Sequence, residues 1–153
     1  MIRNEKEYKE TIRRIKQDEA VIQKQKESLE KLDLKPEEID RVLNPMRSFH
    51  QQLVDEAGWY EKVKRKDFET ISSLEEVGRL LIGLRIASRL TQKDLAKCLG
   101  VAEAQVSRDE RNEYHGISLD RAQKIIRIFG VHLEAKIALD RPLERKRILA
   151  AAS

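Results

Sequence analysis

Gly100 stands directly after Gln92-Lys93-Asp94-Leu95-Ala96-Lys97-Cys98-Leu99, and this one glycine constrains the chain more than any other residue. Thr91 is a good N-cap for a short helix starting at Gln92, because its hydroxyl can accept from an N–H of the first turn. Leu95, Ala96 and Leu99 form the buried side of that helix, and Ala96 is small enough to admit a neighbour at close range. Gly100 supplies the positive φ that ends the helix and permits a sharp bend. Val101 plugs the angle, and Val106 anchors a second helix to the core. The expectation is two short helices crossing steeply, a helix-turn-helix.

The rest of the chain reads as mainly α. Tyr8, Ile15, Ile22 and Leu29 recur every seven residues, and Ile12 widens the stripe. Glu19 and Lys26 interrupt it, which favours a short helical pairing over a long zipper. The first helix should end near Leu34, since the residue before Pro36 avoids helical geometry. Pro36-Glu37-Glu38 opens a second helix, and Asn44-Pro45 predicts a break or kink. The apolar pattern resumes from Met46 through Phe49, Leu53, Ala57, Tyr60 and Val63. Residues 1–68 are thus an antiparallel helical hairpin for association or partner binding. Alone it would be marginal, and it needs a second copy or the other domain to cover it.

Residues 69–73 read as a linker, with Ser72 or Ser73 capping the next helix. Residues 74–130 form a domain of four to five helices, carrying apolar residues at Leu74, Val77, Leu81, Leu84, Ile86 and Ala87 and later at Leu119, Ala122, Ile125, Ile126 and Phe129. From 131 to 153 comes a strand-like segment and a basic tail. Val131, Leu133, Ala135, Ile137 and Leu139 alternate with other residues, the period of a strand. With no second strand in the chain, Val131, Leu133, Ile137 and Leu139 are expected to dimerise by pairing with another copy. The alternative is a helical or irregular tail packed on the domain.

Composition excludes more than it selects. With 38% charged residues and 5% aromatics, the 153-residue chain suits thin helical cores. No apolar run approaches the roughly 18 residues of a membrane span, and Met1-Ile2-Arg3-Asn4-Glu5-Lys6 is unlike a secretory leader. A cytoplasmic, nucleoid-associated location is expected. Cys98 is alone and reads as a small buried thiol; His50, His115 and His132 lack ligand spacing. No phosphate loop or nucleophile elbow occurs, so no enzyme, metal or cofactor is expected. Net charge is only +4, but Lys62-Val63-Lys64-Arg65-Lys66 and Arg145-Lys146-Arg147 flank the helical domain. Such runs fit a solvated face and equally fit phosphate contacts.

Arg85, Thr91-Gln92, Leu95-Ala96, Leu99-Gly100-Val101, Val106-Ser107 and Glu110 together resemble the Xre family of helix-turn-helix regulators over residues 74–130. The resemblance implies a lambda-repressor-like domain that puts the helix at 102–112 into the major groove of double-stranded DNA. It implies base contacts from Glu103, Ala104, Ser107 and Arg108, and phosphate contacts from Thr91, Gln92, Lys93, Gln105, Arg111, Tyr114 and His115. Helical geometry agrees for Ala104, Arg108 and Arg111, which point away from the core when Val106 points in. For Gln105, Arg111 and His115 an ordinary solvated side chain is the competing reading. The Arg108 fork matches the two acceptors of guanine. Glu103 could accept from cytosine or repel phosphate.

The resemblance further implies a structural ion pair between Arg85 and Glu110. Asp109 departs from a position often apolar in the family, and needs looser packing or a polar partner. Asn112 replaces a frequent glycine and tolerates left-handed geometry. Functionally, the resemblance implies a dimeric autorepressor of a palindromic operator. Two rivals are an antitoxin, binding a toxin through the hairpin, and an interaction module without DNA binding.

Overall fold

Asn4 opens the first helix, its side-chain oxygen accepting from the Glu7 N–H at 2.9 Å. The computed structural model describes residues 1–32, 34–134 and 136. Helix α1 (Glu5–Glu30) lies antiparallel to α2 (Pro36–Lys64). At the closed end of this hairpin Leu29, Ile39 and Leu43 form a small core of their own. At the open end the Tyr8 and Tyr60 rings stack with centroids 5.0 Å apart, and Lys64 reaches Glu5 at 2.8 Å. Burial, reinforced by Glu5, pushes the Tyr60 phenol up to about 12, so it remains a neutral donor to that carboxylate.

The break expected at Asn44–Pro45 does not occur, and α2 runs unbroken through Pro45. Proline removes one N–H from the helical ladder. Packing outweighs that loss: Leu43 just before it is fully buried, and Ala57, Tyr60 and Val63 are buried further along. Arg47 also pairs with Asp40 at 2.7 Å across the proline. Phe49, expected on the inner side, remains exposed with the Arg14 guanidinium 4.8 Å over its ring.

A larger core joins the hairpin to the second half of the chain. Ile2, Tyr60 and Val63 share it with Leu81, Ile82, Leu95, Val106 and Ile125. The open end of the hairpin is therefore covered by this chain's own later helices.

Ser73 caps a short 3-10 turn (Leu74–Glu76), its hydroxyl accepting from the Glu75 N–H, and the turn continues as α3 (Val77–Ala87). Leu74 points outward and is 78% exposed, so it is not the core residue its period suggested. Then follow α4 (Gln92–Leu99), α5 (Glu103–Arg111) and α6 (Leu119–Ile128). Helix α6 packs on α3 and α4 through Ala122 and Ile125.

Gly78 sets how closely α3 meets the loop after α5. A Cβ there would lie 1.8 Å from the Glu113 carbonyl oxygen and 3.2 Å from Tyr114 Cβ. Because the obstacle is backbone, the helix or the loop must shift. Gly78→Ala is expected to cost at least about 1–3 kcal/mol, read as a lower urea midpoint at unchanged slope.

Among the described residues there is no strand. Val131 to Glu134 are irregular and exposed, while Ile137 and Leu139 lie outside the described residues. Alternating apolar residues make a strand only where a ladder partner takes up their backbone groups. The dimer expected through Val131 and Leu133 has no strand to rest on there. Among the described residues, no helix is long and apolar enough to cross a membrane.

Candidate nucleic-acid interface

The helix-turn-helix is built by local chemistry at both ends of α4. Thr91 Oγ1 accepts from the Asp94 N–H at 3.1 Å, and an Asp94 carboxylate oxygen accepts from the Thr91 N–H at 3.0 Å. Hydrogen bonds from Thr91 hold the Asp94 carboxyl below its usual range. Thr91→Ala is expected to lower stability by about 1 kcal/mol, checked by thermal denaturation. At the other end Gly100 takes φ 69° and ψ 36°. The Val101 N–H then donates back to Ala96 O at 3.0 Å, and the Gly100 N–H donates to Lys97 O at 3.2 Å. This left-handed cap satisfies orphan carbonyls and turns the chain into α5. Leu95 and Val106, both fully buried, fix the crossing.

Behind α5 sits a buried polar network. Arg85 is 4% exposed and Glu110 1% exposed. The Arg85 fork donates through Nε and Nη2 to the two Glu110 oxygens, the second at 2.7 Å. Its remaining reach goes to Leu90 O and Arg3 O, each at 2.9 Å. Gln92 Nε2 donates to the same Glu110 carboxylate at 2.8 Å. Arg85 thereby ties α3 to α5, to the start of α4 and to the N-terminal segment. Gln92 commits one of its two amide N–H donors inward and keeps the other.

In front of α5 the four residues with expected base contacts lie on one face: Glu103, Ala104 and Arg108 are exposed and Ser107 is half-buried. Arg111 is exposed as well, and Lys93 is exposed at the start of α4. Arg108 donates to Ala104 O at 3.3 Å and to Gln105 Oε1 at 3.1 Å. Two of its five N–H groups are so engaged, and three remain for a ligand. Half-buried Gln105 in turn donates to Asp109 at 2.7 Å. Asp109 has its polar partner in Arg121 of α6, at 2.6 Å. The sequence raised the question of that partner without naming it, because the two residues meet only through the packing of α6.

Three expectations are corrected here. Tyr114, expected at the phosphate backbone, is 4% exposed and belongs to the core. Glu113 and Tyr114 both adopt positive φ, 47° and 55°, where the loop passes close to Gly78. Burial raises the Tyr114 phenol above its ordinary range. Asn112 does not supply the left-handed turn; its φ is −89°, and the next two residues carry it. Cys98 is exposed, not buried. His115 is exposed on the same loop, beside an open groove shared with Arg108, Ser118 and Arg121. Among the described residues no group of three or more His, Cys, Asp or Glu side chains could hold a metal.

Known proteins match this chain. A helix-turn-helix family model matches residues 82–136, from the middle of α3 onward. The RNA polymerase sigma-F factor of Priestia megaterium is 34% identical over 104 residues, covering 56% of this chain and 40% of that protein. The RNA polymerase sigma-F factor of Bacillus subtilis (strain 168) is 40% identical over 62 residues, covering 39% of this chain and 24% of that protein. The chain thus spans well under half the length of the curated relatives it matches. No solved structure matches it.

These findings overturn the resemblance to the Xre family and its antitoxin branch, because the matching relatives are sigma-F factors. The physical reason is that Thr-Gln, Leu-Ala, Leu-Gly-Val and Val-Ser encode a cap, a buried seam and a glycine bend. Any pair of short helices packed this way needs them, whatever its regulatory role. The family model describes a helix-turn-helix and both relatives are named as RNA polymerase sigma-F factors, in keeping with the expectation that the chain is not an enzyme. Its transcription-related helix-turn-helix character stands at that coarser level.

Proposed function

We propose that the chain binds double-stranded DNA with α5 in the major groove and acts in transcription. One observation carries the reading: α5 presents Glu103, Ala104, Arg108 and Arg111 outward while a buried ion pair braces it from behind. A helix held this rigidly loses little further freedom on docking, and the free N–H groups of Arg108 suit the O6 and N7 acceptors of guanine. Lys93, Arg111 and His115 lie around this face as candidates for phosphate contacts, which position the helix without reading sequence.

Selection of bound duplexes from a random library, followed by salt titration of the selected site, tests this. The expected result is a defined consensus, with log affinity falling linearly as log salt rises, by about 0.9 per phosphate neutralised. Failure to retain any duplex at low salt would leave the chain a protein-interaction module and refute the proposal. The likeness to sigma-F factors favours a second reading, in which DNA binding takes place together with RNA polymerase. Co-purification with core RNA polymerase tests it; a chain that binds its DNA site but never the polymerase refutes that part alone.

A further inference from the structure

Away from α5, the last turns of α2, the connector after it and the outer side of α3 enclose a groove of about 500 Å³. That volume falls within the range of small-molecule sites, about 300–1,000 Å³. Its walls are half apolar, from Trp59 and Val54 of α2, Phe68 of the connector and Leu80 of α3, and half polar or charged. Phe68 and Val54 remain 37% and 36% exposed, so these walls face open space. Two glycines keep the groove clear. A Cβ on Gly58 would meet nothing within 4 Å, and one on Gly83 would approach Phe68 Cε1 at 3.2 Å.

The charges around this groove do not cancel. Lys62 is neutralised by Glu69 at 2.6 Å. The Glu76 carboxylate is committed to the Ser72 and Ser73 backbone N–H groups. Asp55 and Asp67 form no ion pair among the described residues, although Asp55 accepts from Gln51. The Arg79 guanidinium, which also lines the groove, lies 4.7 Å from the Trp59 ring centre. The lining thus carries Asp55, Asp67, Glu69 and Glu76 against Lys62 and Arg79, a net excess of negative charge. Aromatic faces beside uncompensated carboxylates are the chemistry that binds organic cations.

We propose that this groove binds a small organic cation with an aromatic or branched apolar body. The cationic head lies on the acidic rim that Asp55 and Asp67 supply, and the apolar body fills the space over Gly58 against Trp59 and Phe68. The proposal does not depend on DNA binding. Because α2 forms one wall and α3 another, an occupant stabilises the packing of the hairpin on the helix-turn-helix.

Trp59 is the only tryptophan in the chain, so its fluorescence reports on the groove directly. Benzyltrimethylammonium chloride titrated into the full chain should give a saturable change in Trp59 emission and raise the melting temperature. Benzyl alcohol and potassium chloride, which supply the ring and the ionic strength separately, should give neither. Asp55→Asn/Asp67→Asn should weaken binding by about tenfold or more, equivalent to about 1.4 kcal/mol. Gly58→Leu, at an exposed helical position where leucine is well tolerated, should fill the space and abolish binding with unchanged far-ultraviolet circular dichroism. Equal binding of benzyl alcohol, or undiminished binding by the double variant, overturns the proposal. So does an unresponsive Trp59, including the case where a second copy of the chain already fills the groove and the mass rises with concentration.

Discussion

Arg85→Ala is expected to destabilise the chain by about 3–5 kcal/mol, because it strands a buried carboxylate. For a chain of this size that corresponds to a fall in melting temperature of roughly 6–20 °C. The effect is large because Glu110 is 1% exposed and cannot turn to water for compensation. Gln92 supplies one neutral donor to it, too little to stand in for a guanidinium. Leu90 O and Arg3 O lose their partners in the same step. Arg85→Lys should recover only part of the loss, since an ammonium cannot present a planar fork to Glu110 while also reaching two carbonyls. Arg85→Met combined with Glu110→Leu removes both charges and separates the effects. It should be less destabilised than Arg85→Ala, yet below the parent, because the two carbonyls and the Gln92 amide remain unpaired. Urea denaturation measures all three variants. A parental midpoint for Arg85→Ala would show that the network contributes no stability.

The turn around Gly100 was legible because every part of it is local: a cap, a buried seam and a left-handed residue within eleven positions, Thr91 to Val101. The Arg85–Glu110 pairing entered through a family motif, and its extension to Arg3 O had no sequence signal at all. Backbone acceptors carry no identity, and residue 3 meets residue 85 only after the hairpin has docked. Pro45 shows the reverse failure, a strong local rule overruled by packing on both sides of it. Tyr114 misled because the family resemblance put its loop against phosphate, whereas here Glu113 and Tyr114 take two successive positive φ values and the ring is buried. The α5 face needed only helical geometry, whereas the Asp109–Arg121 bond that stiffens it needed the position of α6. Regulatory class was the least legible property, since the residues that build a helix-turn-helix record how helices pack and not what they regulate.

Arg108→Ala should leave the fold intact and lower affinity for the selected DNA site by about 5- to 150-fold, equivalent to about 1–3 kcal/mol. Stability should hold because the side chain is exposed and its own partners, Ala104 O and Gln105, lie within the same helix. Gln105 keeps its bond to Asp109, so the Asp109–Arg121 link behind it survives the truncation. The loss should fall on one base pair of the site, with affinity for unrelated duplex nearly unchanged. Lys93→Ala is the complementary case: removing a phosphate-binding ammonium weakens binding to all sequences alike and reduces the salt slope by about one. Arg108→Lys should not restore discrimination, because a point charge cannot reproduce two parallel bonds to one base edge. Competition binding of these variants against single-base substitutions of the site separates the outcomes. If Arg108→Ala weakened every sequence equally, Arg108 would be a phosphate ligand and base reading would have to come from Ala104, Ser107 and Glu103.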